Sequence, residues 1–481
     1  ASDATKARAR TEMGARSLTD KESPVFQALA DAAIVPAAPA TAAEPTVYVA
    51  PSMQTIFARG AWTETTTWSL FTSGPRLVED HQHADAGNWV MSRGADNLVV
   101  DASPYSSLSS LTGNAPAVDS NAVPAYQTPS QGWFNLYGKT HLVWSRALPG
   151  GGAVARGDYA DNFRRESNAS DVQVALRDYV FLPSGDDGTV VTFDRVKTGD
   201  SARGAHFRVT TPGTASVSGK TATATVGASS LRVQMPYASS GSLYVGTPAV
   251  QDDCSGMDYG KCDKARFPVT TVKVDVAGPS PAAIMVVDSA AAGAAAAPTE
   301  LLSGVGYRGV LLTRGVLKTA VIGADADPVP GAPMKYRVPS GVAMRHIVLD
   351  APRGNEGRSD VTAKAVGSDC EVTVVAAAGS AGFDGAPLVI DVAPTCAAVD
   401  PGPGQVDGEG SSATPSSATV DEKGTDKAAA DEAAAKANAD AAAAGDTGAG
   451  CTVSASPTSS SFAMLAGVMA IGFAARRKRR S

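Results

Sequence analysis

Two of the chain's five histidines fall in one short string, Asp80-His81-Gln82-His83-Ala84-Asp85. On an extended strand successive side chains point to opposite faces, so His81, His83 and Asp85 would all project from one. If Gly94-Ala95-Asp96 turns a hairpin, Trp89 lies opposite Asp101, and Asp101 joins the face that carries the histidines. Two imidazoles and two carboxylates on one surface are enough to hold a metal ion or to transfer a proton, since imidazole titrates in the neutral range. The plainer alternative is a satisfied polar network in a loop.

Other constellations offer less. The acidic residues Asp252, Asp253, Asp258 and Asp263 lack the ligand order of a calcium-binding EF-hand and fit a solvated loop better. No Gly-rich phosphate loop follows a strand, and no Gly-x-Ser-x-Gly elbow is present. His141, His206 and His346 each stand alone in strand-like sequence.

A surface of that kind needs a sheet to carry it, and the sequence from Val47 to Cys396 is dominated by period two. DVQVALRDYVFL, GTVVTFDRV, HFRVTTPG, SLRVQMP, VTTVKVDVAG, AAIMVVDS, RGVLLTRG, RHIVLDAP and CEVTVVAAAG each read as a strand bounded by Gly, Pro, Ser or Asp. Nine such runs with almost no helical period predict an all-β fold, a large antiparallel β-sandwich over 46–396. One helical stretch, Ser23 to Ala33, leads into a Pro/Ala linker, so 1–45 reads as a helical remnant and linker. With nothing obvious for that helix to pack on, a preceding helical domain is expected to be missing.

The chain has 481 residues, of which 43% are hydrophobic, enough for a sizeable core. Its 41 Lys+Arg against 48 Asp+Glu give a net charge of −7, which argues against nucleic-acid partners, whose phosphates call for a basic excess. Among five cysteines, Cys254 with Cys262 and Cys370 with Cys396 are spaced for two local disulfides, leaving Cys451. Disulfides imply an exported protein. Four unpaired buried thiols are the alternative, and a zinc site of four cysteines is disfavoured by the spacing.

The C-terminus is read in two parts. Residues 397–450 lose their large apolar side chains and form a low-complexity spacer, too poor in apolar surface to offset chain entropy. In 451–481, Gly450-Cys451 precedes a Ser-rich stretch, an apolar run from Phe462 to Ala475 and the cluster RRKRR. The apolar run is shorter than the ~20 residues that cross a bilayer as a helix, so it reads as a transient membrane anchor. This tripartite tail resembles the C-terminal sorting signals of myxobacterial-type exported proteins. The resemblance implies cleavage near Cys451, with Cys451 carrying the anchor at the cell envelope or outer surface.

The stretch from Arg59 to Tyr105 resembles the β-sandwich half of the heparinase II/III-like polysaccharide lyases. The matching residues are Arg59 and Trp62, Gly74, His81, His83 and Asp85, Val100 and Asp101, then Pro104 and Tyr105, with weaker likeness at Arg177, Asp194, Tyr307 and His346. The resemblance implies an exported lyase acting by β-elimination on a uronic-acid-containing glycan, an acidic polysaccharide partner, and an N-terminal α/α toroid for which this chain has no room. It further implies His81 as the catalytic group, Arg59, Trp62 and Tyr105 as substrate contacts, and His83 and Asp101 as ligands of a possible zinc ion. Relatives that bind metal take a third ligand from a His-Asn pair, where this chain offers Gly113-Asn114. The other function class is a non-catalytic envelope protein that uses the sandwich to bind glycan or as structure.

Overall fold

The computed structural model describes residues 45–74, 85–101, 113–119, 140–163, 170–200, 203–246, 269–304, 307–314, 317–324, 333–350, 361–374, 387–393, 395–396 and 398–399. The regular structure among these residues is strand, the one helical feature being a 3-10 turn at Ala160–Phe163. The helical stretch expected at Ser23 to Ala33 and the whole C-terminal tail lie outside them.

Two sheets form the first layer. One is a five-stranded meander of β1 (Val47–Ala50), β2 (Thr55–Arg59), β3 (Thr67–Thr72), β4 (Asn88–Arg93) and β5 (Asp96–Val99). The other has the order β15 (Tyr244–Gly246), β16 (Thr270–Ala277), β11 (Gly204–Thr211) and β6 (Ala117–Val118). The Val100 N–H donates to the Thr210 carbonyl at 2.9 Å, which joins the two along a seam.

Behind them lies an eight-stranded sheet. Its order is β12 (Ala215–Ser218), β13 (Thr221–Val226), β14 (Ser229–Ala238), β17 (Ala282–Ala291), β10 (Asp187–Thr198), β9 (Val172–Ser184), β8 (Ala153–Asp158) and β7 (His141–Ala147). The long hairpin of β9 and β10 turns at Gly185-Asp186, where Gly185 has a φ of 62° that a two-residue turn demands and L-residues resist. A six-stranded sheet follows, β18 (Thr299–Gly304), β19 (Tyr307–Arg314), β20 (Leu317–Ala324), β22 (Met344–Val348), β25 (Leu388–Val392) and β26 (Ala398–Val399). Last comes a three-stranded sheet, β21 (Met334–Pro339), β24 (Asp369–Val374) and β23 (Val361–Val366).

Three cores lie between these layers. Phe71, Trp89, Phe207 and Val274 meet Tyr179, Phe181 and Val190 of the central sheet. On its other face, Val180, Val191 and Ile284 meet Val310, Val321 and Ile347. Ile322 and Val348 in turn meet Val338 and Val372. A sheet covered on both faces favours apolar side chains on successive positions, which is why β17 opens as a continuous apolar run and β9 is one interrupted by Arg177 and Asp178.

The all-β sandwich expected from the sequence is therefore present, and each of the nine strand-like runs forms a strand. One pairing departs from the antiparallel expectation: β20 and β22 run parallel, Ala320 opposite His346. The Cys370–Cys396 disulfide is formed as expected and is consistent with export. Cys254, Cys262 and Cys451 lie outside the described residues.

Ionic groups are buried on both faces of the central sheet. On one face Arg156 and Arg195 bridge Asp178 and Asp350; Arg156 reaches Asp178 at 2.7 Å and Asp350 at 2.7 Å, and Arg195 reaches Asp350 at 2.7 Å. On the other, Arg177 of β9 is opposite Asp194 of β10 and grips it bidentately, at 2.7 and 2.9 Å. Arg177 and Asp194 are both 0% exposed, so each charge depends on the other for its solvation.

Candidate functional site

The β3–β4 connection carries the His-x-His-x-Asp string, and Thr72 pairs with Asn88 at its base. Its closing turn is described from Asp85 onward. The Gly87 N–H donates to the Thr72 carbonyl at 2.8 Å, and the Asn88 N–H to the Asp85 carbonyl at 2.8 Å. Gly87 has a φ of 86°, and a Cβ there would stand 3.1 Å from Pro116 Cδ. Only glycine meets both conditions without strain. Asp85 thus lies in a turn and not on a strand, so the alternation expected to align it with the histidines does not apply at its position.

Asn88 and Asn114 fix what surrounds Asp85. Asn88 Nδ2 donates to Asp101 Oδ2 at 2.9 Å, while its Oδ1 accepts from the N–H groups of Trp89 and Asn114. Asn114 is 0% exposed. Its Nδ2 donates to the carbonyls of Trp89 and Val100 at 2.9 and 3.0 Å, and its Oδ1 accepts from the Thr210 N–H at 2.7 Å. The side chain is a staple across the seam of the two outer sheets. From beneath, Arg177 Nη1 donates to the carbonyls of Gly87 and Asn114, at 2.8 and 2.6 Å, tying the turn after Asp85 to the Gly113-Asn114 segment.

Desolvation of the half-buried Asp85, and secondly the charge of Asp101, push its carboxyl up to about 7. The Tyr159 hydroxyl, buried against the same turn and without a partner among the described residues, is held well above the usual phenol range by burial and then by Asp194. A carboxyl that titrates near neutrality can give or take a proton at working pH, and two adjacent carboxyls can share one.

The hairpin placed after this turn is present, with a refinement. Gly94-Ala95 form the turn and Asp96 opens β5, while an irregularity between Met91 and Ser92 shifts the register to Met91 opposite Val99. Strand pairing stops there, and Asp101 is tied in through Asn88 instead. Arg59 and Trp62 lie together, the guanidinium 4.3 Å from the centre of the indole ring. They are at the far end of the meander from Asp101: Arg59 pairs with Trp68 and Thr55 with Thr72, four residues or about 13 Å along the strand. His81, His83 and Tyr105 lie outside the described residues.

Among the described residues no three His, Cys, Asp or Glu side chains come together to hold a metal ion. Asn114, at the position of the third zinc ligand in the metal-binding pattern, has both ends of its amide committed to backbone partners. The described donors alone do not make a zinc site. Sequence reading had not singled out Asn88, nor the supporting parts played by Asn114 and Arg177. Gly87-Asn88 and Gly113-Asn114, each a small residue before an amide, are the signal for the first two.

No family model and no curated protein matches the chain. Among solved structures it is similar to a heparinase III gene product, with 13% identity and a TM-score of 0.44 over 66% of this chain and 48% of that one. A mutant of heparan sulfate lyase HepC from Pedobacter heparinus gives 12% identity and a TM-score of 0.44 over 67% and 48%. The unmutated lyase gives 13% and 0.42 over 65% and 47%. The chain spans about half the length of these structures.

Among the described residues no helix is long and apolar enough to cross a membrane.

Proposed function

We propose that the chain is the sandwich part of a polysaccharide lyase that cleaves a uronate-containing glycan by β-elimination, with the turn at Asp85 as its proton-handling corner. The observation that carries this reading is the Asp85 carboxyl, raised to about 7 beside Asp101 and two residues after His83 in the sequence. Elimination removes the weakly acidic proton next to the uronate carboxylate and expels a glycosidic oxygen. It needs a positioned base, an acid and a partner for the carboxylate. In this reading His81 is the base, His83 and Asp101 hold it, and Asp85 supplies or relays the second proton. Arg59 and Trp62 contact a more distant sugar unit, and Tyr105 is a further substrate contact.

The test uses the full-length gene product with a panel of acidic glycans, following absorbance of the unsaturated uronate. His81→Ala is expected to slow cleavage about 100- to 10,000-fold. Cleavage by His81→Ala at the native rate would overturn its role. A full-length protein that binds these glycans without cleaving any would replace the lyase by a non-catalytic glycan-binding envelope protein.

Zinc at His83 and Asp101 belongs to the same proposal, and metal analysis of the purified protein before and after chelation tests it. Surface anchoring near Cys451 does too: Cys451→Ala should release the protein into the medium, whereas an intact Arg-rich terminus on mature protein would reject cleavage there.

A further inference from the structure

Far from the Asp85 turn, an open groove of about 490 Å³ runs between the edge strands β18 and β21. Leu301, Leu302 and Ser303 form one wall, Tyr307 and Tyr336 the floor, and Lys335, Arg337 and Glu371 the other wall. We propose that this groove is a second glycan site that holds a single anionic sugar unit, a uronate, apart from the site of cleavage.

Three features favour that ligand. The first is the floor: Tyr307 and Tyr336 pack edge to face, 6.0 Å between ring centres, and with the two leucines offer an apolar surface for the C–H face of a pyranose.

The second is the state of the polar groups beneath it. Tyr336 is 3% exposed and lines the groove, yet its hydroxyl has no partner among the described residues. Behind it His346, 5.3 Å away between ring centres, is fully buried with the Ile390 backbone beside its imidazole. Burial, only partly opposed by the Ile390 backbone and Asp391, lowers that imidazole to about 4, so it adds no charge behind the tyrosine. A buried hydroxyl such as that of Tyr336 is normally satisfied, and a sugar hydroxyl is the complementary chemistry.

The third is charge. Arg337 and Lys364 flank Glu371 at 3.5 and 3.3 Å, and Lys335 adds a further cation beside the groove. Along the groove itself two cations, Lys335 and Arg337, stand against one carboxylate, a local positive excess on a chain whose net charge is −7. Arginine and lysine at such a rim suit a carboxylate, while Glu371 can accept from a ring hydroxyl.

The choice of uronate rests on the proposed function, but the groove can be tested without any cleavage. Full-length protein is titrated with glucuronic acid, a glucuronate-containing disaccharide and a neutral disaccharide, followed by calorimetry. Binding of the two acidic ligands, at least tenfold tighter than the neutral one, is expected. The exposed double variant Lys335→Ala/Arg337→Ala should weaken it at least tenfold. Tyr336→Phe should weaken it severalfold, and Asp101→Asn at the other site should leave a component of unchanged affinity. Acidic ligands bound no better than neutral ones, or affinity unchanged in Lys335→Ala/Arg337→Ala, would overturn the proposal. Loss of all binding in Asp101→Asn would overturn it as well, while leaving the lyase reading in place.

Discussion

Asp85 gives the candidate site a pH signature of its own. Its carboxyl is near 3.8 when exposed and about 7 in the fold, so the native state holds the proton more tightly than the unfolded chain. Below about pH 4 both states are protonated and the group is neutral to stability. As the pH rises toward 7 the unfolded chain ionises first, so this group's contribution becomes steadily less favourable. The slope is at most about 1.4 kcal/mol per pH unit, and it levels off above 7. Asp85→Asn removes the titration while keeping the shape. Thermal melts from pH 4 to 8 should therefore show the Asp85→Asn variant gaining on the parent as the pH rises, with most of the gain between 5 and 7. Parallel curves for the two proteins would mean that Asp85 is ionised in the fold, and its part in proton transfer would have to be given up.

At the scale of elements, Arg177 decides whether the turn and the staple stay together. It spends one edge of its guanidinium on Asp194 and the other on the carbonyls of Gly87 and Asn114, so one side chain couples a strand of the central sheet to two segments of the outer layer. Arg177→Met leaves Asp194 buried without a counter-charge and should cost about 3–5 kcal/mol in denaturant unfolding. Arg177→Met with Asp194→Leu should recover a large part of that loss, because the orphaned charge is gone. If the double variant is no more stable than the single, the carbonyl contacts, and not the ion pair, are what the arginine supplies. The same residue shows where sequence reading reaches its limit. VALRDYVFL announced a strand, because its apolar run was long and bounded, and the nine strongest runs were legible for that reason. Weaker elements such as β13, TATATV with small or hydroxyl side chains almost throughout, carry too little apolar contrast to stand out. The carbonyl partners of Arg177 lie 90 and 63 residues away along the chain, a distance over which local pattern carries no information. The layering was hidden for a related reason: β14 pairs with β17 and β20 with β22, skipping intervening strands.

Across the whole molecule, the disulfide joins the outermost layer to its neighbour. Cys370 is in β24 of the three-stranded sheet, while Cys396 follows β25 of the six-stranded sheet, and both are buried in the core between them with Tyr336, Val338 and Val372. The three-stranded sheet is small and contributes only one covered face, so its own apolar area gives it little independent stability. A link across a sequence separation of 26 restricts the unfolded chain, and the chain-entropy relation puts that effect at roughly 3.5 kcal/mol. The Asp85 turn is supported through a different core, by Phe71, Trp89 and Tyr179. Cys370→Ala/Cys396→Ala should accordingly speed amide exchange in β21, β23 and β24 by several orders of magnitude while leaving β4, β5 and β9 close to their native protection. Any activity at the Asp85 site should persist in that variant at temperatures where the native chain is fully folded. Uniform loss of protection through all five sheets would instead show that the layers unfold as one unit, with the covalent link stabilising the sandwich as a whole.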